Sequence, residues 1–219
     1  MDWDALRLSL QIGLTSTALA SLVGVPFAWW LARAQFRGRE LVGALVLVPM
    51  VLPPTVLGYY LLQAVGRRSF VGSALDSAFN FSFVFDWTGA VLAAFVVSVP
   101  FLIRTAQAGF ESVDRTFEEA ARTLGRSEFS IFFAVALPLA WRSVLAGVAL
   151  AMARAIGEFG ATLMVAGNIP GRTRTMSIAI YDAVQAGRTG DAQVLALTLT
   201  FVTLGLLVAI GAAARRSHA

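Results

Sequence analysis

The chain has 219 residues, of which 58% are hydrophobic and only 14% are charged, and its charges lie between long stretches that contain none. This is the composition of a membrane protein. The absence of cysteine excludes a disulfide framework and a thiolate metal site, and the single histidine, His218, offers no metal cluster. All 17 basic residues are arginine. Because a P-loop needs a lysine to reach nucleotide phosphates, the chain cannot be a Walker-type ATPase.

Five stretches are predicted to cross the membrane as helices. Three uncharged runs of about 25 residues are each long enough to cross about 30 Å of hydrocarbon. They are residues 8–32, 41–66 and 192–214. The run at 87–103 is shorter, so tilt or packing has to accommodate it. The remaining span, residues 139–166, is apolar but contains ionisable side chains.

The arginines predict how these spans are oriented. Three groups follow the first, third and last spans, and the positive-inside rule places such groups in the cytoplasm. The groups are Arg33, Arg37 and Arg39; Arg115, Arg122 and Arg126; and Arg215 with Arg216. An odd number of spans then places the N-terminus outside. The first span is too long, and its start too poor in basic residues, for a signal peptide, so we expect it to remain uncleaved.

Prolines interrupt the second span. Pro49, Pro53 and Pro54 each remove a donor from the helical ladder. They therefore bend or break the helix and free carbonyl groups for other partners. A structural kink is the simpler interpretation, and a role in gating is the alternative.

Two connections are predicted on the outer side. Residues 67–86 are too short and broken to cross, which indicates a loop with a short aromatic-rich helix at the interface. In residues 167–191, Met176, Ile180 and Val184 recur at helical spacing and predict a short amphipathic helix rather than a sixth span. The halves of the chain show no internal repeat of the kind that builds many secondary transporters. We therefore expect a dimer to complete any pathway.

A charged insert separates the third and fourth spans. Thr116 and Glu119 have the spacing of a capping box, which predicts that a short helix starts there. Glu118 and Arg122 are predicted to form an i,i+4 pair on one side of it. The other side is apolar. Its residues are Phe117, Ala120, Ala121 and Leu124.

The insert continues through a glycine turn into a second helix. Gly125 is expected to have a positive φ and to end the first helix. A second apolar helix follows, and Pro138 is expected to mark its exit into the fourth span. Residues 116–138 thus predict helix, turn and helix across the cytoplasmic mouth. An ordinary amphipathic interfacial element is the alternative.

These residues resemble the EAA loop of ABC importer permeases. The matching residues are Glu119, Ala120 and Ala121, then Gly125, then Leu137 and Pro138, with Val135 where the family most often has isoleucine. The likeness covers residues 9–214 as the permease core. It implies an all-α integral membrane protein with the fold of type I ABC importer permeases. Residues 1–219 would form one transmembrane domain of about five helices, with a cytoplasmic coupling loop at 116–138.

The resemblance also implies partners. The first helix of the loop would dock on a separate ATPase subunit, which holds ATP and Mg. Two permease subunits would pair as a homodimer, two ATP-binding-cassette subunits would bind beneath them, and a periplasmic or lipid-anchored binding protein would deliver the substrate. This chain would be a transport subunit without catalytic residues, metal or cofactor of its own, and it would bind no nucleic acid. It would be multi-pass in the cytoplasmic membrane of a prokaryote.

The segment ARAIGEFGATLMVAGNIPGRTRT, residues 153–175, bears on the substrate. It is similar to the molybdate permease branch of the family, which implies import of molybdate or of tungstate, an oxyanion of nearly the same size and charge. Sulfate permeases share the GEFGA and GN elements and are the alternative. Selectivity in this family resides largely in the delivering protein.

Three ionisable side chains are candidates for the pathway. Arg154 and Glu158 are spaced i,i+4 in the fourth span, and intramembrane charges usually face the bundle interior and are paired. Either they neutralise one another and hold the packing, or Arg154 meets a passing dianion while Glu158 keeps the anion from being trapped. Arg104 is a further candidate, although a snorkelling interfacial arginine explains it as well.

Three residues of the outer connection are candidates for contact with substrate or binding protein. They are Asn168, Arg172 and Arg174. The arginines would attract anions, although solvated loop charges are an equal alternative.

Two other functional classes remain open from the sequence. An ATP-independent anion channel or secondary carrier is favoured by the intramembrane charges and opposed by the missing repeat. A structural or sensory membrane subunit is favoured by the lack of a nucleophile, base and orienting group. The charged insert opposes both.

Overall fold

The computed structural model describes the backbone of residues 2–216 and the side chains as far as residue 212. Within this part of the chain there are eleven α-helices, one π-helical segment and no strand. The α-helices are α1 (Trp3–Arg33), α2 (Arg39–Val51), α3 (Pro54–Val65), α4 (Phe70–Phe79), α5 (Trp87–Ser112), α6 (Arg115–Thr123), α7 (Glu128–Ile131), α8 (Leu137–Ile156), α9 (Gly160–Ala166), α10 (Met176–Gln185) and α11 (Thr189–Arg216). The π segment, Phe132–Ala136, joins α7 to α8.

Four of these elements are long and apolar enough to cross a membrane: α1, α5, the continuous helix from Glu128 to Ile156, and α11. The second expected span is a broken pair, α2 and α3, with a bend of 108° between them. Pro53 precedes the first turn of α3 and Pro54 begins it, so the predicted break is confirmed. With the bent pair taken as one crossing, the described chain has the five crossings that the sequence predicts.

The fourth span differs from the prediction at both ends. Pro138 does not mark an exit, because the helix runs without interruption from Glu128 to Ile156. The π segment explains this: Leu137 donates its N–H to the carbonyl of Phe132, five residues back. The wider turn accommodates a proline ring that would clash in a regular α-helix. At the other end α8 stops at Ile156, and α9 restarts at Gly160 after a short break.

Helices α1, α5 and α8 form the centre of the fold. Their main apolar cluster joins α1 and α5 to the π segment and α8, through residues such as Ala28, Leu102, Phe110 and Phe132. Small residues allow the close approach: a Cβ on Gly147 of α8 would lie 3.1 Å from the carbonyl oxygen of Leu102. Gly147 therefore lets α8 lie close to α5.

The two half-helices α3 and α9 pack directly against each other. A Cβ on Gly58 of α3 would lie 2.8 Å from the Cα of Ala161 and 2.8 Å from the Cβ of Met164. The start of α9 is equally close to the start of α3, since a Cβ on Gly160 would lie 3.0 Å from the Cβ of Pro54. The broken second span and the broken fourth span are thus held together through glycines.

The short helix α10 is present as predicted, but with a different buried face. Met176, Ala179 and Ala183 are buried against α1 and α11, whereas Val184 is exposed. The prediction of a face through Ile180 and Val184 is therefore wrong in part. Alanines let α10 lie close to its neighbours, and Ser9 of α1 accepts the N–H of Met176 at 2.8 Å.

Candidate functional site

The segment from α6 to α8 carries the matched motif and is described first. Helix α6 starts at Arg115 with Asp114 as its cap, two residues before the predicted cap Thr116. The Oδ1 of Asp114 accepts from the N–H of Thr116 at 2.9 Å and from its hydroxyl at 2.7 Å. These two hydrogen bonds, the hydroxyl first, lower the pKa of Asp114 below its ordinary value. The predicted capping box of Thr116 and Glu119 is wrong, since both residues lie inside the helix.

The turn after α6 has the predicted geometry. Gly125 has φ of 76°, in the left-handed region that favours glycine. Its N–H donates to the carbonyl of Arg122 at 2.9 Å, and the N–H of Arg126 donates to Ala121 at 3.1 Å, which is the Schellman pattern. The backbone therefore leaves α6 in a fixed direction.

An ion pair fixes the angle between α6 and α7. Arg122 Nε lies 2.6 Å from Glu128 Oε1, and Arg122 Nη2 lies 3.0 Å from Glu128 Oε2, so the pair is bidentate across the turn. The hydrogen bond from Arg122 to Glu128 is the main reason that the pKa of Arg122 is raised. The predicted i,i+4 pair of Glu118 and Arg122 is also present, with Arg122 Nη2 3.6 Å from Glu118 Oε2.

The outward side of this segment is apolar and uncovered by the described chain. Phe117, Leu124 and Phe129 are 57%, 82% and 75% exposed. Glu119 is exposed too, and its carboxylate has no hydrogen bond or ion pair within the described residues. Large exposed apolar patches mark interaction sites, here on a segment whose direction is fixed.

The other motif residues have two locations. Ala120, Ala121 and Gly125 lie with Glu119 on α6 and its turn, whereas Leu137 and Pro138 lie at the junction of the π segment and α8. The structure therefore places the first group together on one short helix and the turn that ends it. The second group belongs to the helix that carries the segment back into the membrane.

Glu118 has a role that sequence analysis missed. Its side chain is 1% exposed, and Oε1 accepts from Arg33 Nε at 2.9 Å and from Arg33 Nη2 at 2.8 Å. Trp29 Nε1 lies 3.4 Å from the same oxygen. The partners are more than eighty residues away in the chain, so local spacing carries no signal of this contact.

Arg154 and Glu158 form the predicted pair, but not along one continuous helix. Arg154 Nη1 lies 2.7 Å from Glu158 Oε2, and Glu158 is in the break between α8 and α9. The other oxygen, Oε1, accepts the N–H of Ala161 at 2.8 Å and so caps the start of α9. The carboxylate is buried, while Arg154 is 27% exposed. Glu158 thus has a structural part, and one side of Arg154 stays accessible.

Arg104 lies in different surroundings. It is exposed and donates to Gln107 Oε1 at 3.2 Å, without a carboxylate in ion-pair range among the described residues. Gln107 in turn donates to Glu111 Oε1 at 2.9 Å, and Glu111 is ion-paired with Arg39. These side chains line a cavity of about 970 Å³ between α2 and α5.

On the outer connection, most charge is already paired. Asn168 donates to both oxygens of Asp182 at 2.9 Å and 2.8 Å and accepts from Arg174 Nε at 2.8 Å. Arg174 also lies 3.2 Å from Asp182. Arg172 is 69% exposed, with its only carboxylate contact within the described chain at 3.9 Å from Asp86. No cluster of potential metal ligands occurs among the described residues.

These features define a class of protein: a helical membrane protein with a short helix between two of its spans whose apolar side is exposed. Residues 24–215 match the family described as the binding-protein-dependent transport system inner membrane component, and the chain belongs to that family.

The comparisons also give individual relatives. The chain is 41% identical over 209 residues to the molybdenum transport system permease protein ModB of Escherichia coli K12, covering 94% of this chain and 91% of the relative. It is 40% identical over 180 residues to the putative molybdenum transport system permease protein YvgM of Bacillus subtilis, covering 82% and 79%. A bacterial alginate ABC transporter, solved with its periplasmic protein, shares the fold with a TM-score of 0.76 at 15% identity, covering 97% and 78%.

Proposed function

We propose that the chain is the membrane-spanning permease subunit of an ATP-driven importer that moves molybdate or tungstate into the cytoplasm. The observation that carries the proposal is the 41% identity over 94% of the chain to a molybdenum permease. A sulfate permease is the alternative within the family.

The proposal assigns α6 to the contact with a separate ATPase. Its exposed apolar side, with Glu119 beside it unpaired among the described residues, offers an apolar centre with a charged rim, as protein interfaces commonly do. The glycine turn and the Arg122–Glu128 pair support this role because they fix the direction of the helix. ATP and Mg would bind to the partner, and this chain would contribute no catalytic group.

A homodimer would complete the pathway. Arg104 is favoured as an anion contact because it faces an open cavity and no carboxylate of the described residues lies in ion-pair range of it. Arg154 is the second candidate, because Glu158 neutralises part of its charge. On the outer side, Arg172 is free enough to meet a binding protein, whereas Arg174 and Asn168 are tied to Asp182.

The test is uptake of labelled molybdate into proteoliposomes that hold the permease, its ATPase and its binding protein. Uptake is expected to require all three components and internal ATP, and to be competed by tungstate more strongly than by sulfate. The matched control carries an ATPase whose P-loop lysine is replaced, which abolishes hydrolysis without removing the partner.

Two results would contradict the proposal. Uptake that persists with the inactive ATPase would identify a channel or carrier. Competition by sulfate in preference to tungstate, with a binding protein that retains sulfate, would identify the sulfate branch.

A further inference from the structure

The contact between α6 and the end of α1 centres on a buried carboxylate. Glu118 lies on a strongly polar helix outside the spans, yet its side chain is 1% exposed. Burying a carboxylate is unfavourable unless it is paired and hydrogen-bonded. The position therefore requires a partner that stays in place.

Arg33 is that partner, and it joins three helices. It is the last residue of α1, and its Nε and Nη2 both donate to Glu118 Oε1, at 2.9 Å and 2.8 Å. The same Nη2 donates to the carbonyl of Val113, just after α5, at 3.2 Å. One guanidinium group thus links the cytoplasmic ends of α1 and α5 to α6.

The pairing of Glu118 is directed toward α1 rather than toward its own helix. Its second oxygen, Oε2, is buried and has no hydrogen bond within the described chain. The nearest guanidinium on α6 itself, that of Arg122, is 3.6 Å away and bonds Glu128 instead. The short contacts of Glu118 are therefore those that cross between helices.

Two adjacent glutamates give α6 two different sides. Glu118 attaches the helix to α1, while Glu119 and the apolar side chains beside it face outward. A shift or tilt at the end of α1 must carry α6 with it as long as the Glu118–Arg33 pair holds. If Glu118 detaches from α1, the described hydrogen bonds between α6 and α1 are reduced to a longer one, from Arg115 Nη2 to the carbonyl of Ala32 at 3.4 Å.

We propose that Glu118 is the positioning residue that makes α6 move as one unit with α1, so that the state of the spans is transmitted to the docking surface. This inference rests on the proposed function of α6 as the ATPase contact. Glu118 itself is not expected to touch the partner.

The first test examines the attachment in the permease without any partner. Glu118→Gln keeps the shape of the side chain but removes its charge, and hydrogen exchange measures how often the backbone of residues 115–124 opens. We expect exchange in this stretch to accelerate by about tenfold or more, with α5 and α8 unchanged, because a buried charge pair is broken. Glu119→Gln is the matched control on the same helix and is expected to leave the exchange as it is.

The second test examines coupling in the assembled complex with molybdate as substrate. Glu118→Gln is expected to retain the ATPase on co-purification, since the outward side is intact, but to lower molybdate transported per ATP hydrolysed by about fivefold or more. Glu119→Gln is expected to weaken association with the ATPase more than it lowers the molybdate transported per ATP hydrolysed. Arg33→Gln should reproduce the Glu118→Gln defect, and the double variant should be no worse than either single one.

The results separate this inference from the proposed function. Unchanged exchange and unchanged transport per ATP in Glu118→Gln would overturn the positioning role. If Glu118→Gln does not yield a folded permease, Arg33→Lys replaces it, and normal coupling there would count against the role, since lysine cannot supply two donors from a planar group. A different outcome would overturn the proposed function alone. In that outcome the wild-type permease binds no ATPase, while exchange still accelerates in Glu118→Gln, so the attachment of α6 through Glu118 stands.

Discussion

The two ends of this molecule differ in how far their charged groups are paired and their apolar groups are buried. At the outer end, Asn168, Arg174 and Asp182 satisfy one another, and α10 buries its apolar side against α1 and α11. At the α6 end, the internal contact through Glu118 is satisfied, while Phe117 and Leu124 are left uncovered. The proposed docking surface is therefore better supported at α6, where apolar side chains are uncovered, than at the outer connection, where the charges are largely paired.

The largest effect is expected from a glycine comparison. Gly125 and Gly171 have φ of 76° and 71°, and an added Cβ at either meets nothing within 4 Å. Valine therefore imposes the same backbone strain at both, about 1–2 kcal/mol, without a clash. We expect Gly125→Val to abolish coupled hydrolysis and Gly171→Val to leave most of it, measured in proteoliposomes with molybdate. Equal losses at both positions would show that strain alone, and not the direction of α6, is responsible.

A smaller effect is expected at the outward glutamate. Glu119→Ala removes a side chain that has no hydrogen bond or ion pair among the described residues, so the thermal stability of the permease alone should change by less than about 0.5 kcal/mol. Association with the ATPase should weaken by about tenfold, as for a contact at a protein interface. Titration of the ATPase against the permease in detergent measures this. An unchanged affinity would place the docking surface elsewhere.

The intramembrane pair is expected to affect transport moderately. Arg154→Ala leaves Glu158 buried without its ion pair, although the carboxylate still caps α9 through Ala161. We expect reduced molybdate uptake with the ATPase still bound. Arg154→Lys, which keeps the charge, is the control. Normal uptake by a fully assembled Arg154→Ala permease would assign the pair to packing.

The smallest effect is a pH dependence at the cap of α6. The pKa of Asp114 in the folded protein is lowered below 3.8, so its stabilising contribution is fully present above that value and disappears as the pH falls through the folded pKa. The difference in thermal midpoint between wild type and Asp114→Ala should therefore shrink below about pH 4. Asp114→Asn keeps a hydrogen-bond acceptor without a charge. The difference in thermal midpoint between Asp114→Asn and Asp114→Ala should therefore be the same above and below about pH 4. A difference that grows on acidification would contradict the sign.

Local patterns predicted the elements whose causes are local. The long uncharged runs predicted the spans. The position of Gly125 after an amphipathic helix predicted the positive φ that the structure shows. The docking role proposed for the insert comes from family likeness rather than from spacing alone. The cap was misassigned because Asp114 and Thr116 both suit a helix start, and the choice depends on the backbone of the preceding residues.

Contacts between distant parts of the chain were not predictable in the same way. The pairing of Glu118 with Arg33 joins residues far apart in sequence, and no periodicity in either helix indicates it. The same is true of the buried side of α10, where two helical spacings fit the sequence and neighbouring helices decide between them. The continuity through Pro138 depends on a π turn, which the sequence does not signal.

The packing of α3 against α9 has a consequence for how the protein is made. Gly58 lies against Ala161, yet all of α5 and α8 are synthesised between them. During insertion, the bent second span therefore enters the membrane before the element that covers its glycine surface exists. Contacts of such long sequence separation form late. The final arrangement of the N-terminal half thus awaits translation of the C-terminal half, and a chain released before Gly160 would leave the surface at Gly58 facing lipid.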